Sequence, residues 1–403
     1  MYDLMEGVRV IEVAEHTFVP AAGVVLADWG ADVIKIERTV GGGDPARNML
    51  ILQRPGQTRN EYFEVANRGK RSVALDLTQD AGREQLYRLV EEADVFTTNL
   101  RTSARRKMKI EPEDLMVRNP RLIYARGTGY GMQGPMAEHG GFDYPSSWCR
   151  SGSGFAQTPE SGPPPQQPGS VGDLTGGATL AGAISAALFR RERTGKGAVV
   201  DHALYLMGAY IMTQSLTGAS LSGAKPGEPI TLRRGGGGHP LVRLYRTKDD
   251  RWLSLCFLQD RWFADLARRL GREDLLADER FVDEPAKMAN ADALVEELQS
   301  AFETKTLAQW NEILFTMEGV WAPLLNPAEV IHDQQALESG IITRVSAGDG
   351  DYLAASTPGQ FDESPIGELR ASPGYGEHTD EVMSELGLSA DQIARLRGDS
   401  VLL

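Results

Sequence analysis

The first third of the chain alternates β-branched runs with segments of helical spacing, and this alternation restricts the architecture more than any other feature. Val8-Arg9-Val10-Ile11-Glu12-Val13, Ala31 to Glu37, Ser72 to Leu77, Ala93 to Asn99 and Leu122 to Gly127 read as five strands. Between them, Pro20 to Trp29 is small and apolar with helical spacing, and Gly82 to Glu92 is amphipathic. Strands separated by helices pair through crossovers rather than hairpins. The pattern therefore predicts an α/β fold with a parallel sheet and right-handed connections. In open sheets of this kind, ligands bind beyond the ends of the strands.

The remainder of the chain changes character. Residues 151–172 are rich in Gly, Ser, Pro and Gln and read as a loop. A small-residue helix from Leu174 to Arg193 follows. Residues 218–239 form a second Gly/Pro-rich stretch, ending in Gly235-Gly236-Gly237-Gly238-His239, where a domain boundary is expected. Leu244–Thr247 and Trp252–Leu255 flank Asp249-Asp250 as an antiparallel hairpin, with helices from about Gln259 to Phe315. The chain ends in a helix around Thr379–Leu386, and no repeat of fixed period is present.

Charge and cysteine content narrow the functional classes. The 403 residues carry a net charge of -14, a poor match to the basic footprint that general nucleic-acid binding requires. Two cysteines, Cys149 and Cys256, supply neither a zinc framework nor a disulfide scaffold, as suits a reducing cytoplasm. The N-terminal residues show no basic segment before an apolar core, and no uninterrupted apolar run approaches a membrane span. The expectation is a cytoplasmic protein with no membrane or nucleic-acid partner. The sequence contains no G-x-G-x-x-G after a strand, no P-loop and no G-x-S-x-G, and its six histidines show no i, i+4 pairing for a metal.

Three features remain as candidates for chemistry. Asp173, in Gly172-Asp173-Leu174-Thr175-Gly176-Gly177, starts a helix after a flexible loop. It is either a plain N-cap or a carboxylate nucleophile that neighbouring glycines leave open to substrate. The tetraglycine Gly235–Gly238 is either an interdomain linker or a lid that excludes water. Lys35, Arg38, Lys70, Arg71, Arg101, Arg105, Arg106 and Lys107 lie near strand ends, as solvated residues or as an anion pocket for phosphates.

Across nearly its whole length the chain resembles the family III CoA-transferases, which include formyl-CoA transferase and the carnitine CoA-transferases. The α-methylacyl-CoA racemases share that fold. The resemblance is carried by Leu4 to Glu12, Leu26-Ala27-Asp28-Trp29-Gly30 through Arg38, Gly43-Asp44-Pro45-Ala46-Arg47, and Asn67-Arg68-Gly69-Lys70-Arg71 through Leu77. It continues in Asn119 to Tyr124, Gly172 to Gly176, Arg193 to Gly197 and Gly376-Glu377-His378-Thr379-Asp380. It implies a large Rossmann-like domain, residues 1–205 with 330–403, and a smaller α+β domain, residues 236–315. Linkers at 206–235 and 316–329 would join them, in an intertwined homodimer.

The resemblance also implies an activity: transfer of CoA from an acyl-CoA donor to a free carboxylic acid, with CoA and acyl-CoA as substrates and no permanently bound cofactor or metal. Asp173 matches the family's nucleophile, and Gly235–Gly238 with His239 matches its flexible glycine loop. Coenzyme A is expected against Thr17, Phe18, Arg38, Leu75, Asp76, Leu77, Thr78, Asn99, Leu100, Arg101, Lys107 and the stretch Gly140, Gly141, Phe142, Asp143. Three departures stand out. The loop after the first strand reads His16-Thr17-Phe18, without the family's usual Gln or Arg, so Thr17 or the backbone must substitute. Asn99-Leu100-Arg101-Thr102-Ser103 lacks the usual Pro and Gly. Gly141-Phe142-Asp143 stands where racemases carry Gly-His-Asp, which favours a transferase over a racemase. A CoA-binding protein without turnover is the further alternative. Trp148 is expected either in the core or in a pocket wall.

Overall fold

Six short strands form one parallel sheet: β1 (Arg9–Val13), β2 (Asp32–Glu37), β3 (Arg71–Ala74), β4 (Val95–Thr98), β5 (Ile123–Thr128) and β6 (Ala198–Ala203). Their order is β3-β2-β1-β4-β5-β6. The computed structural model describes residues 2–49, 59–159, 161–227 and 238–403. The five strands expected from sequence are present, and β6 is a sixth that its mixed composition concealed.

Both faces of the sheet are covered, so the strands read as nearly continuous apolar runs. Val10, Val33, Val95 and Ile123 face helix α1 (Phe18–Asp28), and Leu180 and Ile184 join them from a later helix. Ile11, Ile34, Phe96 and Tyr124 face the other side, with Leu86 and Leu89 of α3 (Asp80–Glu91). Between these lies α2 (Glu61–Asn67). Helix α4 (Thr102–Met108) follows β4, and α5 (Val171–Thr194) packs on α1 through glycines. A Cβ on Gly177 would lie 2.6 Å from the Cβ of Ala21, so only glycine permits that approach. Helix α5 is long and apolar enough to cross a bilayer by length and composition, yet half of its most apolar window is buried inside this unit.

The chain divides into two compact units, Met1–Ser222 with Asp333–Leu403, and Gly223–His332. The segments read as linkers carry regular structure: α6 (Leu204–Ile211) and α7 (Thr213–Leu221) continue the first unit. The second unit has an antiparallel sheet of β7 (Val242–Arg246), β8 (Trp252–Cys256) and β9 (Trp321–Pro323). Its core joins Tyr245, Leu253, Leu255, Phe302 and Trp310. Of the two helices in the segment read as a linker, α6 buries Leu204 and Met207, whereas α7 buries no side chain. The stretch read as a loop at 151–172 likewise contains a short helix, Ser153–Gln157.

The C-terminal section covers the β3 edge, which would otherwise present unpaired backbone. His378 Nδ1 accepts from the Ser72 N–H at 3.2 Å, and Thr379 Oγ1 accepts from the Ala74 N–H at 3.0 Å. The Gly-Glu-His-Thr-Asp segment is therefore an edge closure.

A buried charge network lies beneath the sheet's C-terminal rim. Lys35 donates to Glu12 at 3.2 Å and pairs with Asp44 at 2.8 Å, and Lys70 donates to the same Glu12 at 2.8 Å. All four side chains are essentially inaccessible. Burial pushes the Lys70 ammonium down to about 8, with the Lys35 charge adding to it against the pull of Glu12. Burial also opposes ionisation of Asp44, but Lys35 outweighs it and holds the carboxyl below its ordinary range. Removing one partner leaves the others buried without compensation. Lys35→Ala is expected to lower unfolding free energy by about 3–5 kcal/mol. Denaturant titration of the pure protein checks this, and a loss under about 1 kcal/mol would refute the role assigned to the network.

Candidate active site

The strand order reverses direction between β1 and β4, and the loops leaving these two strands diverge there. Asn99 ties the two loops together. Its Oδ1 accepts from the Glu15 N–H at 3.0 Å, and its Nδ2 donates to the Glu15 carbonyl at 2.6 Å. Two adjoining clefts open at this point. One, of about 270 Å³, is lined mainly by apolar groups, with Ile36, Leu75, Leu77, Ala104 and Met108 beside Arg38 and Thr78. The other, of about 260 Å³, contains Thr17, Phe18, Asn99, Arg101, Phe142 and Asp173. Glu15 and Leu100 line both. A larger hollow of about 940 Å³ lies beside Arg59, Asp349 and Arg370; of the sequence candidates only the cations Lys70 and Arg71 line it, and none of the residues expected against coenzyme A do.

Asp173 is the third residue of α5, and the N-cap position is Ser170, in a left-handed conformation. The capping role is therefore not performed by Asp173. Among the described residues no hydrogen bond reaches its carboxylate, although only 8% of the residue is exposed. Burial, reinforced by the neighbouring charge of Asp143, pushes its carboxyl up to about 7. Asp143 approaches the helix from outside instead. Its Oδ2 accepts from the Gly172 N–H at 3.0 Å and from Gln167 Nε2 at 2.8 Å. A side chain on Gly172 would collide with Asp143 and Ser147, so glycine is required for this external cap.

Tyr62, from α2, is a participant that motif reading did not mark. Burial raises its phenol, and the negative charges of Asp173, Asp44 and Asp143 reinforce the rise. No motif in the sequence marks it. His202, on β6, packs against Phe18 with ring centroids 5.6 Å apart. Burial keeps its imidazole below the usual range.

The expected ligand residues distribute as follows. Arg38, Leu75, Asp76, Leu77 and Thr78 border the apolar cleft. Thr17, Phe18, Asn99, Arg101, Gly140, Gly141 and Phe142 border the cleft with Asp173, and Leu100 borders both. Asp143 is buried behind the second cleft, and Lys107 is exposed on α4 while its neighbours Ala104 and Met108 form the wall. Several cations considered for an anion pocket are used internally. Lys35 and Lys70 belong to the buried network, Arg71 pairs with Asp32 and Glu385, and Arg105 pairs with Glu111. Arg38 and Arg101 remain as exposed cations over the clefts. Trp148 is buried against Gly154 and belongs to the core. Gly235–Gly237 lie outside the described residues. Gly238 has a φ of 86°, and His239, in the second unit, accepts from the Leu241 N–H and pairs with Glu284.

A model of the family described as CoA-transferase family III matches residues 5–379. The chain belongs to that family. As a family III CoA-transferase it is an acyl-CoA:carboxylate CoA-transferase, an enzyme that uses CoA thioesters as substrates. It is 31% identical to the cinnamoyl-CoA:phenyllactate CoA-transferase of Clostridium sporogenes, covering 100% of this chain and 98% of that protein. It is 29% identical to the human α-methylacyl-CoA racemase over 99% of this chain and 97% of the other. Among solved structures, a CAIB/BAIF family protein from Brucella suis superposes with a TM-score of 0.79 at 30% identity, covering 95% of this chain and 99% of that one. The family III fold expected from the sequence, a Rossmann-like parallel sheet with a smaller α+β unit, is the fold observed.

Proposed function

We propose that Asp173 carries CoA between a donor and an acceptor acid as a covalent aspartyl intermediate. The observation that supports this reading is a carboxylate in a ligand cleft, at the N-terminal turn of a helix, with no internal hydrogen-bond partner among the described residues. An Asp173 oxygen attacks the donor thioester carbonyl and expels CoA thiolate, leaving a mixed anhydride. The thiolate attacks the aspartyl carbonyl, releases the donor carboxylate and leaves an aspartyl-CoA thioester. The acceptor carboxylate attacks that thioester and frees the thiolate again. The thiolate then takes the acceptor acyl group and regenerates Asp173. The apolar cleft beside Arg38 suits the nucleotide end of CoA, and the cleft at Asp173 suits the thioester end. Each attack develops an oxyanion, which the positive end of the α5 dipole favours. The active species is a cytoplasmic homodimer.

Purified protein given an acyl-CoA and a panel of carboxylic acids is expected to form the acceptor acyl-CoA with ping-pong kinetics, and failure to exchange with any acid would end the proposal. Proton exchange at the α-carbon is a separate matter. Phe142 lines the cleft and offers no proton, and His139 on the same wall is exposed. The protein is therefore expected not to wash deuterium from D₂O into the α-position of a 2-methylacyl-CoA at a rate comparable with transfer. Rapid deuteration without CoA exchange, followed by NMR, would reverse the assignment to a racemase.

A further inference from the structure

Three independent observations converge on His16. Its backbone is in the left-handed region, with φ of 64°, a conformation that a side-chain-bearing residue adopts at a cost. It is held there by Asp44, whose Oδ1 accepts from the His16 N–H at 3.1 Å and whose other oxygen is paired with Lys35 at 2.8 Å. The charge network therefore acts as a clamp on this loop. Secondly, the imidazole lines the cleft that contains Asp173, standing edge-on to Phe142 with centroids 5.4 Å apart. Thirdly, its Nδ1 is buried with no hydrogen-bond partner. A buried unpaired ring nitrogen is unfavourable, and here the Asp44 contact holds the loop that carries it in place.

We infer that His16 is a specificity-determining residue that hydrogen-bonds a hydroxyl on C2 of the acid, so that the enzyme prefers 2-hydroxy acids to plain alkanoates. This rests on the transferase reading above, because that reading places the acid's carboxyl at Asp173. A substituent one bond from that carboxyl is what a side chain in the same small cleft can meet. A hydroxyl both donates and accepts, so it satisfies Nδ1 in either tautomer. A second carboxylate is disfavoured. Glu15, Glu138 and Asp173 line the same cleft, and Arg101 is the one cleft arginine not already paired internally among the described residues. Phe18, Phe142 and Leu204 supply an apolar wall for the rest of the acyl chain.

The test is a ratio measured within each protein: kcat/KM for a 2-hydroxy acid over that for the alkanoate of equal chain length, with one acyl-CoA donor. Sites built to hydrogen-bond a substrate hydroxyl discriminate strongly against its absence, so a wild-type ratio of at least about 30 is expected. In His16→Phe the ratio should fall to about 3 or less, and His16→Asn, which restores a polar group, should recover part of it. Because both acids meet the same enzyme molecules, loss of folded protein cannot imitate this result. A wild-type ratio near one, or a ratio unchanged in His16→Phe, would overturn the inference while leaving the transferase reading standing. A uniform rise in KM for acyl-CoA with the ratio intact would assign His16 to CoA instead and overturn it equally. No transfer to any acid, with no aspartyl adduct trapped, would bring down both.

Discussion

Asp173→Ala is expected to reduce CoA transfer by on the order of 10⁴-fold while leaving acyl-CoA binding largely in place, because it removes the covalent step but none of the groups that line the nucleotide end of the cleft. The nucleophile's contribution is separable for a geometric reason. Asp173 makes no hydrogen bond to the described residues, and the start of α5 is capped by Asp143 from outside. Truncation at 173 therefore leaves the helix terminus satisfied. Two measurements check the expectation. Wild-type protein mixed with acyl-CoA and hydroxylamine should form a hydroxamate on Asp173, located by peptide mass spectrometry, and the alanine variant should not. Full transferase activity in the variant, or a hydroxamate on a different carboxylate, would remove Asp173 from the mechanism.

The sheet was legible in the sequence because its strands are buried on both faces, so the runs around Val10-Ile11 and Val33-Ile34 are apolar without interruption. β6 was not legible, since Ala198–Ala203 mixes Asp201 and His202 with small residues, and only its pairing to β5 makes it a strand. Helix α6 was hidden for a related reason: a short apolar run beside glycine and serine resembles a linker until the burial of Leu204 and Met207 is known. The site shows the same division. Asp173 could be located by its glycine-rich surroundings, but local sequence could not tell whether it caps the helix. That depended on Asp143, thirty residues away, arriving to take the Gly172 N–H. The basic residues near strand ends show the converse error. Their sequence positions were suggestive, but the buried carboxylates Glu12 and Asp44 claim two of them, and no local pattern reveals such a claim. His16 was visible only as a departure, and its clamp, its strained backbone and its unpaired nitrogen are properties of the assembled loop.

The raised Asp173 carboxyl links activity and stability in opposite directions, and this gives the second large effect. A carboxyl poised at about 7 must lose its proton before it can attack. Transfer, measured as kcat/KM for acyl-CoA, is therefore expected to approach a tenfold fall per unit well below pH 7, about 50-fold between pH 7 and pH 5, and to level off above. Burial is the main cause of the shift and Asp143 the second. Asp143→Asn keeps an oxygen to accept from Gly172 but loses the charge, so it should move the acidic limb to lower pH by part of the shift. For stability, the native state retains a proton that the unfolded chain releases between the ordinary value of 3.8 and about 7. The stability associated with this group is fully present below pH 3.8 and is lost as pH rises through 7. The full span corresponds to about 4 kcal/mol at most. Asp173→Asn removes the ionisable group while keeping its shape. It is therefore expected to be more stable than wild type by roughly 2–4 kcal/mol at pH 8 and nearly equal to it at pH 4. Denaturant titrations at the two pH values decide the matter. Equal stability of the two proteins at pH 8, or a pH–rate profile flat from 5 to 8, would show that Asp173 is ionised throughout and that its burial carries no cost to the folded enzyme.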